Sequence, residues 1–255
     1  MGAPGAARCP CKTELPFQLI MNTMSQSNAT GAVASFPLTT TVCAEGSSLA
    51  ASRVLRNTYA LLAMTLLFSA GVATAGVALK LPAPGIVITL VGYFGLLFAV
   101  YKLQDSAWAL PAVFGLTGFM GYTLGPMLAK TLSLPGGGGV VAMALAATGA
   151  TFLALSAWVL TTRRDFSFMG GFLFAGMVIA LLAGLGAVFF QIPALGLAVA
   201  AMVEMLSAGL ILFETSRIVN GGETNYVLAT VGLYVSIFNL FTSLLALFGF
   251  GGSDD

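Results

Sequence analysis

The stretch NYVLATVGLYVSIFNLFTSLLALFG, residues 225–249, runs for 25 residues without a charged side chain. As an α-helix it would be about 37 Å long, because each helical residue adds 1.5 Å. The hydrocarbon core of a bilayer is about 30 Å thick. Lipid offers no hydrogen-bond partner to the backbone, and a helix pairs its own backbone groups. The stretch therefore predicts a membrane-spanning helix.

Six further apolar stretches of this kind come before it in the chain. The connections between them are short and rich in Gly, Pro or charged residues, so consecutive helices should be antiparallel neighbours. We therefore predict an all-α fold, a polytopic integral membrane protein whose seven-helix bundle occupies residues 53–250. The predicted spans are 56–79, 86–103, 108–130, 139–162, 167–190, 194–219 and 225–249.

Composition supports the same fold class and excludes several functions. Of the 255 residues 58% are hydrophobic and only 7% are charged, whereas a soluble domain carries about 25% charged residues. The expected partner is therefore a lipid bilayer. A net charge of +1 gives no basic excess for binding nucleic acid. Histidine is absent, which excludes Ser-His, Cys-His and HExxH sites.

Three cysteines, Cys9, Cys11 and Cys43, precede the first span and lack the paired spacing of a zinc site. We interpret them as incidental thiols and expect no metal and no cofactor. Residues 1–52 are rich in Ser, Thr, Ala, Gly and Pro, which predicts a disordered cytoplasmic tail. Residues 251–255, GGSDD, should form a short acidic end on the other side of the membrane.

Lys and Arg residues predict the orientation of the bundle. Six basic side chains collect on one side of the predicted topology and two on the other. Loops that stay in the cytoplasm carry the excess of Lys and Arg. The N-terminus should therefore be cytoplasmic and, after seven spans, the C-terminus should be periplasmic. The six are Arg53, Arg56, Lys102, Arg163, Arg164 and Arg217, and the two are Lys80 and Lys130.

Gly121 and Gly125 form a GxxxG pattern in the third span. Small residues at this spacing let two helix backbones approach closely, which favours helix association in lipid. We interpret the pair as helix packing within the bundle, in preference to a dimer face.

Two carboxylates lie inside the sixth span, and ionisable groups at such positions are candidates for function. Glu204 is near its middle and has no charged neighbour on its own helix. Glu214 is close to the cytoplasmic end, where Arg217 at i+3 could form a salt bridge with it. The two carboxylates are about 80° apart around the helix and about 15 Å apart along it. They could line one ion or proton pathway but could not share one ion.

The seventh span adds Ser236 and Asn239, which lie one turn apart on a common face. Two interpretations remain open. The pair could line a pathway with the two carboxylates, or it could form hydrogen bonds between helices, which are worth about 0.6 kcal/mol each in membranes.

Four ordered motifs resemble the Bax inhibitor-1 family, and most closely its bacterial YccA-like branch. The longest is FETSRIVNGGETNYVLATVGLYVSIFNLFTSLLALFG, residues 213–249. The others are RVLRNTYALLAMTLLFSAG (53–71), GFMGYTLGP (118–126) and TTRRDFSFMGG (161–171). The resemblance covers residues 53–250 and implies a seven-helix bundle that is not an enzyme.

The resemblance also implies two candidate functions. For the YccA-like branch it suggests a regulator of the bacterial inner membrane that restrains the membrane-anchored AAA+ protease FtsH. For calcium-leak members it suggests a pH-sensitive leak of calcium or protons, gated by an acidic residue on span six and a second one on span seven. The first position corresponds to Glu214, but the second is Ser236, which departs from the carboxylate pair.

Overall fold

The computed structural model describes the backbone of residues 39–251 and the side chains of residues 52–249. The described part consists of seven α-helices and one short 3-10 turn, Ser167–Met169, without a strand. The prediction of an all-α fold is confirmed. The helices are α1 (Thr39–Ala78), α2 (Ile86–Leu103), α3 (Ala109–Leu132), α4 (Gly137–Thr162), α5 (Gly170–Phe189), α6 (Pro193–Val219) and α7 (Tyr226–Gly251).

Each of the seven helices is long and apolar enough to cross a membrane. The predicted span 86–103 matches Ile86–Leu103, and the predicted first span 56–79 lies within α1 except for its last residue. Large apolar side chains cover the outside of the bundle, as shown by Leu67 and Phe189, which are 75% and 83% exposed. A surface of this kind is compatible with lipid and not with water.

The predicted tail, residues 1–52, lies for the most part outside the described residues, as do residues 252–255 of the predicted acidic end. The backbone of residues 39–51 continues α1 towards the N-terminus.

Helix α7 is the most buried of the seven spans. It packs against α3, α4 and α6, and Thr230 and Tyr234 donate hydrogen bonds to Thr58 and Ser69 of α1. By contrast α2 packs on α3, and α5 packs on α6. The core of the bundle is therefore built around its last span. Its fully buried side chains include Leu233, Tyr234, Leu240 and Leu245.

The GxxxG pattern lies at the contact between α3 and α1. A Cβ atom on Gly121 would come within 2.5 Å of the Ser69 carbonyl oxygen, and one on Gly125 within 3.4 Å of Ala73 and Gly76 backbone atoms. The two glycines therefore allow backbone-to-backbone contact. Both sides of this contact belong to one chain.

The two ends of the bundle differ in their number of Lys and Arg residues. The basic end comprises residues 52–56 at the start of the first span and the segments 102–108, 163–166 and 217–225, each of which includes a connection. The opposite end comprises the segments 79–85, 130–136 and 190–192. At the basic end Arg163 closes α4 in the left-handed conformation, with a φ of 49° and an N–H that donates to the Val159 carbonyl.

Candidate functional site

Glu214 of α6 lies against the backbone of Gly232 in α7. A Cβ atom on Gly232 would come within 2.7 Å of the carboxylate carbon of Glu214. Any larger residue at position 232 would therefore displace the carboxylate. The absence of a side chain on Gly232 creates the space that this half-buried acidic group occupies between the two helices.

Ser236 and Asn239 lie on the same face of α7 as Gly232, because they follow it by four and seven residues. Ser236 is buried, and its hydroxyl donates to the Gly232 carbonyl oxygen at 3.0 Å. Asn239 is half-buried. Within residues 52–249 no hydrogen bond joins Glu214 to Ser236. The structure thus places Glu214 at the helix face that carries Ser236 and Asn239, one turn away from a direct contact with Ser236.

Arg217 does not form an ion pair with Glu214. Its guanidinium lies 2.8 Å from a carboxylate oxygen of Glu223, in the connection that follows α6. The same guanidinium lies above the ring of Phe213, 5.5 Å from its centre. The sequence-based alternative, a helical i+3 pair with Glu214, is therefore wrong. The loop turns back over the end of α6 and brings Glu223 closer to the guanidinium than the helix brings Glu214.

Asn225 connects two polar segments at the basic end. Its side-chain oxygen accepts the Val227 N–H at 2.9 Å and so caps the start of α7. Its amide group donates to the Gln104 carbonyl oxygen at 3.3 Å and to the Asp105 carboxylate at 3.4 Å. The connection between α6 and α7 is therefore tied to the one between α2 and α3. A polar cleft of about 430 Å³ lies between these connections.

Ser216 ties the same region to the connection between α4 and α5, a role that sequence reasoning missed. Its hydroxyl donates to the Arg164 carbonyl oxygen and accepts the Phe166 N–H, at 3.1 and 3.0 Å. Asn220, one turn later, donates to the Ser216 hydroxyl at 3.2 Å. The only signal in the sequence is the cluster of polar residues at the end of an apolar helix, which does not identify these partners.

Asp165 lies in that connection, outside the spans. It accepts the Ser167 N–H at 2.8 Å, and hydrogen bonds from Ser167 lower the pKa of its carboxyl group. Asp165 therefore stabilises the turn that leads into the 3-10 segment Ser167–Met169.

Glu204 is half-buried near the middle of α6. In the part of the chain that the structure describes, its carboxylate has no hydrogen bond and no ion pair. Ser207 and Ile211 follow at i+3 and i+7 on the same side of the helix and are fully buried. The Ser207 hydroxyl also has no hydrogen-bond partner among the described residues. Glu204 is therefore separate from the network at the basic end.

The described residues contain no group of three or more His, Cys, Asp or Glu side chains that could hold a metal ion. The basic end contains the Arg217–Glu223 ion pair and hydrogen bonds that link three connections. It also contains the Glu214 carboxylate, in the space left by Gly232. Such an arrangement can position connections and bind a partner.

Comparison with known families gives one match across the membrane region. The family described as Inhibitor of apoptosis-promoting Bax1 matches residues 51–253. The matched region includes all seven spans.

Similar proteins from three bacteria cover most of this chain. A protein of Escherichia coli K12 named Modulator of FtsH protease YccA is 52% identical over 208 residues, which are 82% of this chain and 94% of that protein. A Pseudomonas aeruginosa protein without a functional name is 53% identical, with 80% and 92% of the two chains covered. An uncharacterized membrane protein of Vibrio cholerae is 44% identical, with 82% and 94% covered.

Proposed function

This chain belongs to the Bax inhibitor-1 family, and from that membership we propose that it modulates a membrane-anchored FtsH protease. It is a multi-pass protein of the bacterial inner membrane. The proposed mode of action is binding and restraint of the protease without catalysis by this chain. The proposed partner is FtsH, and the two proteins contact each other in the lipid bilayer.

The similarity to the Escherichia coli modulator is the observation that carries this proposal. It extends over 94% of that protein at 52% identity, so it is not limited to one motif. The basic end supplies the proposed contact region, because hydrogen bonds of Asn225, Ser216 and Asn220 hold three connections together. A surface held rigidly before binding loses little conformational entropy on binding.

Reconstitution with purified FtsH tests the proposal directly. The full chain should co-purify with FtsH from mild detergent and should slow the proteolysis of a membrane substrate in proteoliposomes. An unrelated seven-helix protein, added at the same molar amount, controls for crowding of the bilayer. Unchanged proteolysis together with failure to co-purify would reject the proposed function.

The proposed orientation has a cytoplasmic N-terminus and a periplasmic C-terminus. It rests on the six Lys and Arg residues of the basic end against the two at the opposite end. A reporter enzyme that is active only in the cytoplasm should work when fused before residue 1 and fail when fused after residue 255. Equal activity of both fusions would mean that both ends lie on the same side, which seven spans do not allow.

A leak of calcium or protons is the second candidate function, with Glu214, Glu204, Ser236 and Asn239 as the proposed pathway residues. The observation that favours it is the position of the Glu214 carboxylate on Gly232, one turn from Ser236. Flux through liposomes that contain this chain alone distinguishes a leak from FtsH modulation, because modulation requires the protease.

Ser236→Asp is the sharpest test of the leak. Two carboxylates close to each other repel unless they share a proton, whereas Glu214 one turn from a serine has no such repulsion. We expect the wild type to show little calcium flux that changes between about pH 6 and 8, and we expect Ser236→Asp to create such a change. Thr242→Asp, two turns further along α7, serves as the control. Strong pH-dependent flux in the wild type would mean that the second carboxylate is not needed.

A further inference from the structure

A cleft of about 300 Å³ opens between α3 and α7 at the opposite end of the bundle, far from the network at the basic end. It lies between the last turns of the two helices. Its walls are mainly apolar, and one charged side chain reaches it. The lining residues are Met127, Lys130, Thr131, Leu134, Leu245, Ala246 and Gly249.

The lining of the cleft changes from polar at the helix ends to apolar one turn deeper in the bundle. Lys130 lies two residues before the end of α3, and Gly249 lies two residues before the end of α7. Met127 and Leu245 lie about one turn deeper in their helices. The lysine is therefore at the depth where a span meets lipid headgroups, and the apolar wall faces the hydrocarbon.

Lys130 is available to a ligand. Its side chain is exposed, and the ion pair found within residues 52–249 joins Arg217 to Glu223 at the other end of the bundle. The hydroxyl of its neighbour Thr131 donates to the Met127 carbonyl oxygen within the helix. The ammonium group of Lys130 is thus the charged donor at the mouth of the cleft.

We propose that this cleft binds one anionic glycerophospholipid. An acyl chain lies against Met127, Leu245 and Ala246, and the phosphate and headgroup accept hydrogen bonds from the Lys130 ammonium group. Water is a poor occupant of an apolar wall. A protein helix is also unsuitable, because with its diameter of about 10 Å it is wider than a single acyl chain, and the space is at the lower limit of small-ligand pockets.

Lipid binding to the purified full chain tests the proposal. The protein is stripped of lipid in a neutral detergent, and dioleoyl phosphatidylglycerol and dioleoyl phosphatidylethanolamine are titrated separately. We expect the anionic lipid to bind about five-fold more tightly, which is the contribution of one basic residue near a charged headgroup. It should also raise the unfolding midpoint more than the zwitterionic lipid does.

Lys130→Gln should remove this preference and leave the binding of phosphatidylethanolamine unchanged. Lys80→Gln is the matched control, because Lys80 is the other lysine at the same end and does not line the cleft. Gly249→Leu should reduce the binding of both lipids by filling the cleft. A Cβ atom at position 249 meets no atom within 4 Å, so this variant should fold normally.

Three results would overturn the proposal. One is equal binding of the two lipids by the wild type. Another is a loss of preference in Lys80→Gln as large as that in Lys130→Gln. The third is a rise in phosphatidylglycerol binding when residues 252–255 are deleted. Asp254 and Asp255 would then be the groups that pair with the Lys130 ammonium group.

Discussion

Gly121→Ala should lower the free energy of unfolding by about 1–3 kcal/mol, the usual cost of adding a methyl group to a packed interior. The added Cβ atom would come within 2.5 Å of the Ser69 carbonyl oxygen and 3.1 Å of its Cα atom. These are backbone atoms of α1, so no rotamer change can relieve the clash. The helices would have to separate, and Gly121→Val should separate them further.

The matched control is Gly149→Ala in α4, where a Cβ atom would meet nothing within 4 Å. This variant should be neutral or more stable, because alanine is favoured over glycine inside a helix by about 1 kcal/mol. Unfolding in mild detergent, followed by circular dichroism, measures both variants. Equal stability of the two would contradict the close contact of α1 with α3.

Tyr234→Ala should cost about 3–5 kcal/mol, the range for truncating a large buried aromatic residue. The side chain is 1% exposed in the central helix. Its hydroxyl lies 2.6 Å from the Ser69 hydroxyl of α1 and 3.3 Å from the Thr117 carbonyl oxygen of α3. The truncation would remove both the packing of the ring and the polar link between three helices.

Two further variants separate these contributions. Tyr234→Phe keeps the ring and should cost about 1–3 kcal/mol, the penalty for a buried polar partner that is left unpaired. Tyr101→Ala in α2 is the control, because Tyr101 is 63% exposed on the outside of the bundle and should change stability little. If Tyr234→Ala were as stable as Tyr101→Ala, α7 would not be the centre of the core.

The candidate site connects with this core through α7. The helix begins at the cap formed by Asn225, passes Gly232 beside Glu214, and then reaches Tyr234. A partner that moved the connections at the basic end would therefore act on the helix around which the others pack. Binding at the basic end and the stability of the bundle should be coupled for this reason.

Much of the fold could be predicted from local properties of the chain. The number of spans and most of their limits follow from the length of each apolar stretch, because a bilayer has a nearly constant thickness. The close contact at Gly121 and Gly125 follows from the spacing of small residues on one helix face. These features need no knowledge of which helices are neighbours.

The partners of the polar groups depend on how the helices and connections pack. Nothing local indicates that Arg217 pairs with Glu223 and not with Glu214, because the choice depends on how the connection folds back. The sequence alone did not identify Gly232 as a candidate site position, because its neighbour Glu214 lies on a different helix. In a membrane protein, lipid-facing and buried residues are similarly apolar, so hydropathy cannot tell them apart. Packing alone makes α7 central and leaves an apolar cleft beside Lys130.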